Sequence, residues 1–485
     1  MNSIRQHIIR REIVELVVTG TEADGFALQH AVAELCRDWL TPALDAAFSR
    51  VVPSDEHWSF ERLDVDVGCF TLETLESDFV AAVATAVEKQ INERSTWPVG
   101  FASETGRAMQ RRTDGQSIHE ALLDFLATGA LPWWFHLPAG QTFEQVLIES
   151  WRETGPPAAL SPALIDLIGA PVARLRLVRQ FSTQLIEELL ASQPFPVAQA
   201  VRDFRAHVDL REAVEEPSHD PSRSSIDRQW QAVFAVLASR QPVTVERLVD
   251  EWTRAASPDA ASPGERALRP GATTLTGSAG PVASSEVARP AENADGGRHV
   301  APRAAAMPGA LEMSARPIDL DEGVFIDCAG VVLLHPFLPT LFERIGVAAG
   351  DKLLAPDRAL ALLHFLATGA TRAPEHALVL PKLMCGLPPD ALADAPVELT
   401  EAETTEAEQM LKAVIGHWGA LSDTSPDALR GTFLTRPGKL SMRGDDDLLQ
   451  VEPQSFDVLL DQLPWGIGTI LLPWMTRFLW VEWRI

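Results

Sequence analysis

The sequence predicts an α+β protein that is predominantly α-helical. Three observations carry that expectation. Apolar residues recur at helical spacing through most of residues 117–254 and much of 318–485. Near the N-terminus, Leu63, Val65 and Val67 alternate with Asp64 and Asp66, the period of a half-buried strand. Between the two helical regions, Ser257 to Arg316 contains no Phe, Trp or Ile and is rich in Ala, Pro, Gly and Ser. Such a stretch buries too little apolar area to offset its ordering entropy and reads as a flexible linker. The expected division is therefore a β-α-β-α module over 1–95, a helical middle over 117–254, a linker over 255–317 and a compact domain over 318–485. That last domain should be mostly helical, with one β-hairpin.

In chain order, residues 7–18 (HIIRREIVELVV) are rich in β-branched residues and predict a strand. Thr21 followed by Asp24 resembles a capping box, opening a helix over Ala23 to Arg50. The alternating strand at 62–68 stops at Gly68, and Leu72, Leu75, Phe79, Ala82, Val83 and Ala86 line a second helix. Ile118 to Ala130 is helical and ends at Pro132-Trp133-Trp134. Its end, Leu122-Leu123-Asp124-Phe125-Leu126-Ala127-Thr128-Gly129-Ala130, returns as Leu362-Leu363-His364-Phe365-Leu366-Ala367-Thr368-Gly369-Ala370. Each copy puts Gly where a helix closes in a left-handed residue. The echo points to two related helical units; chance similarity of two Leu/Ala helices is the other reading. Leu175, Val178, Leu185 and Leu189, then Ile226, Trp230, Val233 and Leu237, continue the helical pattern to about residue 253.

In the C-terminal domain, Val331 to Leu334 fits a buried strand or a short helix, and periodicity does not choose. Thr400 with Glu403 forms a capping box for a helix running to Trp418. Ser425-Pro426-Asp427 supplies an N-cap, a proline at the first helical position and an early acid. Lys439–Met442 and Leu448–Val451 flank a turn and predict the hairpin; Phe456, Leu459, Leu460 and Leu463 mark a last helix, and Leu479–Trp483 a closing strand.

Composition narrows the function. A chain of 485 residues with 46% hydrophobic and 22% charged residues is globular and long enough for two or three domains. A net charge of −26 opposes binding to nucleic acid or anionic membranes. Cys36, Cys69, Cys328 and Cys385 form no CxxC pair, which fits a reducing compartment. No secretory h-region stands at the N-terminus, and no apolar run reaches the roughly 18–20 residues that span a bilayer. A cytoplasmic product without membrane insertion is expected.

Catalytic motifs are not found. There is no phosphate loop, nucleophile elbow, dinucleotide fingerprint or H-E-x-x-H. Asp445, Asp446 and Asp447 lack EF-hand spacing and read as a solvated turn. Asp64 and Asp66 read as the wet face of a strand. His364, His376, Cys385 and His417 are residue types that bind zinc, but their spacing fits ordinary core and cap positions. Cys385 with His376 would be a nucleophile and base without an orienting group. No catalytic residue, cofactor or metal is expected. Trp465, Trp474, Trp480 and Trp483 fall within nineteen residues, with Pro464 and Pro473 directly before two of them. Rigid aromatic groups of this kind serve as core or as interface anchors, so these four are the candidate partner-docking residues.

Five blocks carry a resemblance to a known family. They are Arg62-Leu63-Asp64-Val65-Asp66-Val67-Gly68, then Ala329 to Glu343, Glu375 to Leu387, His417 to Arg436 and Val451 to Trp483. The last, with Leu463-Pro464-Trp465, Pro473-Trp474-Met475 and Val481-Glu482-Trp483, is the most specific. Together these residues resemble the contractile injection system tape measure proteins of phage-tail-like particles. Two departures stand out: Asp327-Cys328 where the family more usually has Asn before Ala-Gly, and His335 before Pro336 where a small or apolar residue is commoner. The resemblance implies a non-enzymatic structural protein that sets tube and sheath length. Its implied partners are the inner tube, the baseplate or spike proteins, and copies of itself. It implies a location in the cytoplasm during assembly, and inside the tube of a particle released from the cell. An assembly factor or end-plug that docks without measuring is the alternative.

Overall fold

The computed structural model describes residues 7, 9, 12–18, 25, 28–29, 32, 34–53, 56–60, 62–95, 109–135, 137–138, 140–154, 161–191, 193–215, 223–255, 317–321, 323–393, 397–421 and 424–483. The expected linker and the Thr21/Asp24 capping box lie outside the described residues.

The N-terminal module packs around helix α1 (Thr41–Val51), which continues from a π-helical turn at Cys36–Leu40, and helix α2 (Leu72–Ser95). Leu75, Phe79, Val83, Val87 and Ile91 repeat every four residues on α2 and are buried against Val32, Leu40 and Leu44. The strand layout differs in detail from the expectation. Residues 12–18 and 62–70 are extended but carry no assigned strand, and the paired strands are β1 (Glu56–Phe60) and β2 (Met109–Thr113), antiparallel. A reason lies in the side chains beside 62–70. Leu63, Val65 and Val67 lie against the helical core, and Arg94 donates to the Arg62 carbonyl at 3.0 Å, which takes up a ladder acceptor.

Helices α3 (Asp114–Thr128), α4 (Phe143–Thr154), α5 (Pro162–Leu167), α6 (Pro171–Gln180), α7 (Thr183–Ala191), α8 (Phe195–Glu215), α9 (Arg223–Ala238) and α10 (Val245–Ala255) form the middle region. Thr113 caps α3 with both bonds of a capping box. One core joins these helices, built on Phe125, Leu147, Leu177, Leu189, Phe204 and Phe234 among others.

The C-terminal region follows its local signals closely. Thr400 and Glu403 make both capping-box bonds at the start of α14 (Glu401–His417), and Ser425 caps α15 (Pro426–Leu429). Before them come α11 (Leu338–Arg344), the short ladder of β4 (Ala348–Ala349) with β5 (Lys352–Leu353), α12 (Pro356–Thr368) and α13 (Val379–Met384). The hairpin is β6 (Gly438–Arg443) and β7 (Asp446–Val451), turning at Gly444-Asp445. With β3 (Val324–Ile326), β8 (Thr469–Ile470) and β9 (Leu479–Trp483) it makes a five-stranded sheet ordered β3-β6-β7-β9-β8. Only the β7–β9 pair is parallel. A parallel neighbour needs a long crossover; here residues 452–478 supply it, including the 3-10 helix Ser455–Gln462 where a last helix was expected. Leu440, Leu449, Leu479 and Val481 turn inward from the sheet.

Val331–Leu334, ambiguous in sequence, belong to a buried 3-10 helix, Ala329–Leu334. Its Gly330 is dictated by contact: a Cβ there would stand 1.6 Å from the Phe433 carbonyl oxygen.

Candidate functional site

The two echoed segments are one structural device used twice. Gly129 and Gly369 close α3 and α12 at φ 84° and 74°. In each, the glycine N–H donates to the Phe carbonyl four residues back at 2.7 Å, Phe125 and Phe365 respectively. Thr128 and Thr368 each donate to the carbonyl four residues back at 2.8 Å, and accept from Ala130 and Ala370 at 3.1 Å. An arginine then caps each end: Arg176 donates to the Leu126 carbonyl at 3.1 Å, and Arg430 to the Leu366 carbonyl at 3.2 Å. A guanidinium at a helix C-terminus satisfies orphan carbonyls and opposes the negative end of the dipole. The repetition of bond after bond favours kinship of the two helical units over chance.

The two devices differ in what answers the arginine. Arg430 pairs within its own unit, with Asp427 at 2.9 Å and Glu408 at 2.5 Å. Arg176 instead reaches across to the C-terminal region. Its Nε donates to Glu375 Oε1 at 3.1 Å and another nitrogen to the Asp390 carbonyl at 2.7 Å. Lys382 Nζ donates to the same Glu375 oxygen at 3.2 Å, and Gln180 accepts from the Glu375 amide at 3.0 Å. Arg176 is 1% exposed, and Glu375 and Lys382 are 0% exposed. Two cations therefore face one carboxylate without solvent. Burial pushes the Lys382 pKa down, and the Glu375 charge offsets part of that push. His376 packs its ring on Phe125 and Phe143, and Ala130 lies in the C-terminal core. The middle and C-terminal regions thus meet through a buried ionic and aromatic junction.

The four tryptophans are all tied into the C-terminal region. Trp465 packs edge-on to Phe337 and donates to the Leu333 carbonyl at 3.1 Å. Trp474 stacks on Phe342 and donates to the Met384 carbonyl at 2.8 Å. Trp480 donates to Asp446, with Arg443 over its ring at 4.9 Å. Trp483 donates to Asp457, a fully buried carboxylate that also pairs with Arg436 at 2.7 Å. Every indole N–H is used within the chain, yet all four side chains keep partial exposure. Leu471 and Phe478, exposed at 51% and 43%, lie in the same C-terminal stretch.

The remaining candidates form no single site, although His364 lies close enough to His376 to help push its pKa down. Asp446 and Asp447 are neighbours on β7, so they point to opposite faces of the sheet. Asp446 holds the Phe478 amide and Trp480, and Asp447 pairs with Arg477 at 3.3 Å. Asp64 accepts from Arg62, and Asp66 from the Gly68 amide. His417 packs on Phe337, away from the ring contacts of His376. Burial pushes His364 and His376 down to about 4 and pushes the Cys385 thiol up. That is opposite to what an activated thiolate and its base require. Among the described residues, no group of three or more His, Cys, Asp or Glu is placed to hold a metal ion. Nor is any helix there long and apolar enough to cross a membrane.

Sequence reasoning missed Arg176, Glu375 and Lys382. The echo marks the helix ends but not what covers them, and the Glu375 to Leu387 block of the resemblance contains two of the three without showing their role.

One comparison identifies a relationship. The family model described as contractile injection system tape measure protein matches residues 6–483. No curated protein and no solved structure matches the chain.

Proposed function

The chain belongs to the family of contractile injection system tape measure proteins, and from that premise we propose how its parts serve the measurement. As a tape measure it is a structural component of a phage-tail-like particle and sets the length of tube and sheath. The observation that carries this is the extent of the match, which includes both folded regions and the segment between them.

The finer reading has three parts. The C-terminal domain, residues 318–485, is the anchor, and Trp465, Trp474, Trp480 and Trp483 with exposed Leu471 and Phe478 form its docking face. The partners of that face are the baseplate or spike proteins, and the inner tube surrounds the rest. The chain works in the cytoplasm during assembly and stays inside the tube of the finished particle. The docking reading rests on large, rigid aromatic side chains that keep free surface although their N–H groups are already used, which leaves apolar contact as what they offer.

The reach of the chain bounds the length it can set. All 485 residues in one helix would span about 730 Å, and fully extended about 1,600 Å. Deleting about thirty residues within Ser257 to Arg316 should shorten the tubes by one fixed step with a narrow length distribution. The step is bounded by ~3.1–3.5 Å per residue, about 100 Å at most. Electron micrographs of tubes read it directly, and unchanged lengths would refute a measuring role for that segment. Trp465→Ala with Trp474→Ala should give variable lengths or no particles. Because both rings also pack in the core, Leu471→Ser with Phe478→Ser provides a second variant on exposed positions. Normal, uniform particles from that second variant would refute the docking face.

A further inference from the structure

The middle and C-terminal regions are separate bodies that meet through a small junction. Each has its own core, and of the buried residues in the C-terminal core only Ala130 comes from the middle region. Among the described residues, no helix or strand of one region packs extensively along an element of the other. What joins them is the cluster of Arg176, Glu375, Lys382 and His376 with the rings beside it. Regions that share a small, polar interface move relative to one another unless something further holds them.

The chemistry of the junction suits release. Arg176 on α6 and Lys382 on α13 both donate to Oε1 of Glu375, at 3.1 and 3.2 Å. Oε2 of the same carboxylate is buried and has no hydrogen-bond partner among the described residues. A buried triad holds two surfaces less firmly than apolar side chains of the same volume, because Coulomb attraction returns only part of the lost hydration. An unsatisfied oxygen weakens it further. Once parted, the three charges are hydrated again, so separation does not present a large apolar face to water.

We propose that Arg176, Glu375 and Lys382 form a reversible clasp, at which the middle and C-terminal regions part as intact bodies while staying covalently joined. A measure is drawn out along the tube it sets, and the use of the clasp rests on that reading; its mechanics do not. Charge governs the clasp. His376 follows Glu375 in the chain, and its ring lies edge-on to Phe125 of α3 and Phe143 of α4. The charged and titratable groups around it are Glu375, Arg176 of α6 and Lys382 of α13, with Asp390 acting on Lys382 and His364 of α12 acting on His376. Two cations already share the Glu375 carboxylate, and a proton on His376 adds a third. Burial holds His376 down to about 4 while the regions are joined, against an ordinary 6.5 once they part. The parted form therefore binds the proton better, and the open fraction rises about tenfold from pH 7.5 to 5.5.

Hydrogen exchange of the purified full chain, read by mass spectrometry and corrected for the intrinsic effect of pH, tests this. The Glu375 amide is the reporter, because it donates across the junction to the Gln180 side chain at 3.0 Å. Exchange in a peptide covering 372–378 should speed up about tenfold from pH 7.5 to 5.5, while peptides around Phe234 and Leu363 in the two cores stay the better protected at both pH values. His376→Gln should abolish that acceleration. Glu375→Gln leaves two buried cations without their carboxylate, so it should speed the same exchange at pH 7.5 at least about tenfold. It should also raise the radius of gyration in X-ray scattering with the far-UV circular dichroism unchanged. Loss of core protection together with the reporter, an acceleration that survives His376→Gln, or a Glu375→Gln chain as compact and as slowly exchanging as the original would each overturn the proposal. Tube length enters none of these readouts, so a failure here leaves the measuring role standing.

Discussion

Replacing Gly129 and, separately, Gly369 by alanine tests whether the inter-unit junction is as rigid as its geometry implies. The two glycines close equivalent helices with nearly equal backbone angles, φ 84° and 74°. An L-residue held in that left-handed region costs about 1–2 kcal/mol at either site. What differs is the neighbour. A Cβ on Gly369 would meet Arg430 no closer than 3.6 Å, ordinary contact. One on Gly129 would stand 2.7 Å from Glu375 Oε1, 3.0 Å from Arg176 Nε and 3.1 Å from its terminal nitrogen. Those atoms are the buried ion pair itself, so the methyl group displaces it. Loss of a buried pair costs about 3–5 kcal/mol, an upper bound because displacement is partial. Gly369→Ala should therefore cost about 1–2 kcal/mol and Gly129→Ala about 1–3 kcal/mol more. Urea unfolding followed by fluorescence of the 13 tryptophans reads both. The transition need not be two-state in a chain with several cores, so midpoints of the two variants are compared under identical conditions. Equal shifts for the two would refute a fixed ion pair over Gly129.

Two further outcomes follow from the same junction. His364 and His376 are held down to about 4 in the fold, against an ordinary 6.5, chiefly by burial. The unfolded chain then binds more protons, so stability is full above about pH 7 and is lost as pH falls from 6.5 toward 4. At pH 5.5 the loss is about 1.4 kcal/mol per histidine, and His364→Gln should flatten the decline in urea midpoint between pH 7.5 and 5.5; an unchanged slope would contradict it. Limited proteolysis should cut first within residues 256–316, and the two large fragments should still co-elute in gel filtration, because Arg176, Glu375 and the rings around His376 join them. Separation of the fragments under native conditions would show that the junction does not hold the regions together.

Much of this fold is written locally. The capping box at Thr400, the Ser425 cap, the glycine ends of α3 and α12 and the hairpin at Gly444-Asp445 all satisfy backbone groups within a few residues. Such bonds depend on neighbours in the chain, so residue type and spacing suffice to read them. The family was legible because its C-terminal string is long. What local sequence could not decide is where distant surfaces meet. Arg176 and Glu375 are 199 residues apart, and the carbonyls that take the Trp465 and Trp474 N–H groups are 132 and 90 residues away. The 3-10 form of Ala329–Leu334 rests on close packing against Phe433, and the extended 62–70 run stays out of the paired strands while its apolar side chains lie on helices. A lone buried charge or an unpaired indole is costly; which partner such a group finds is fixed by how the helices and sheet pack, and only the tertiary structure holds that information.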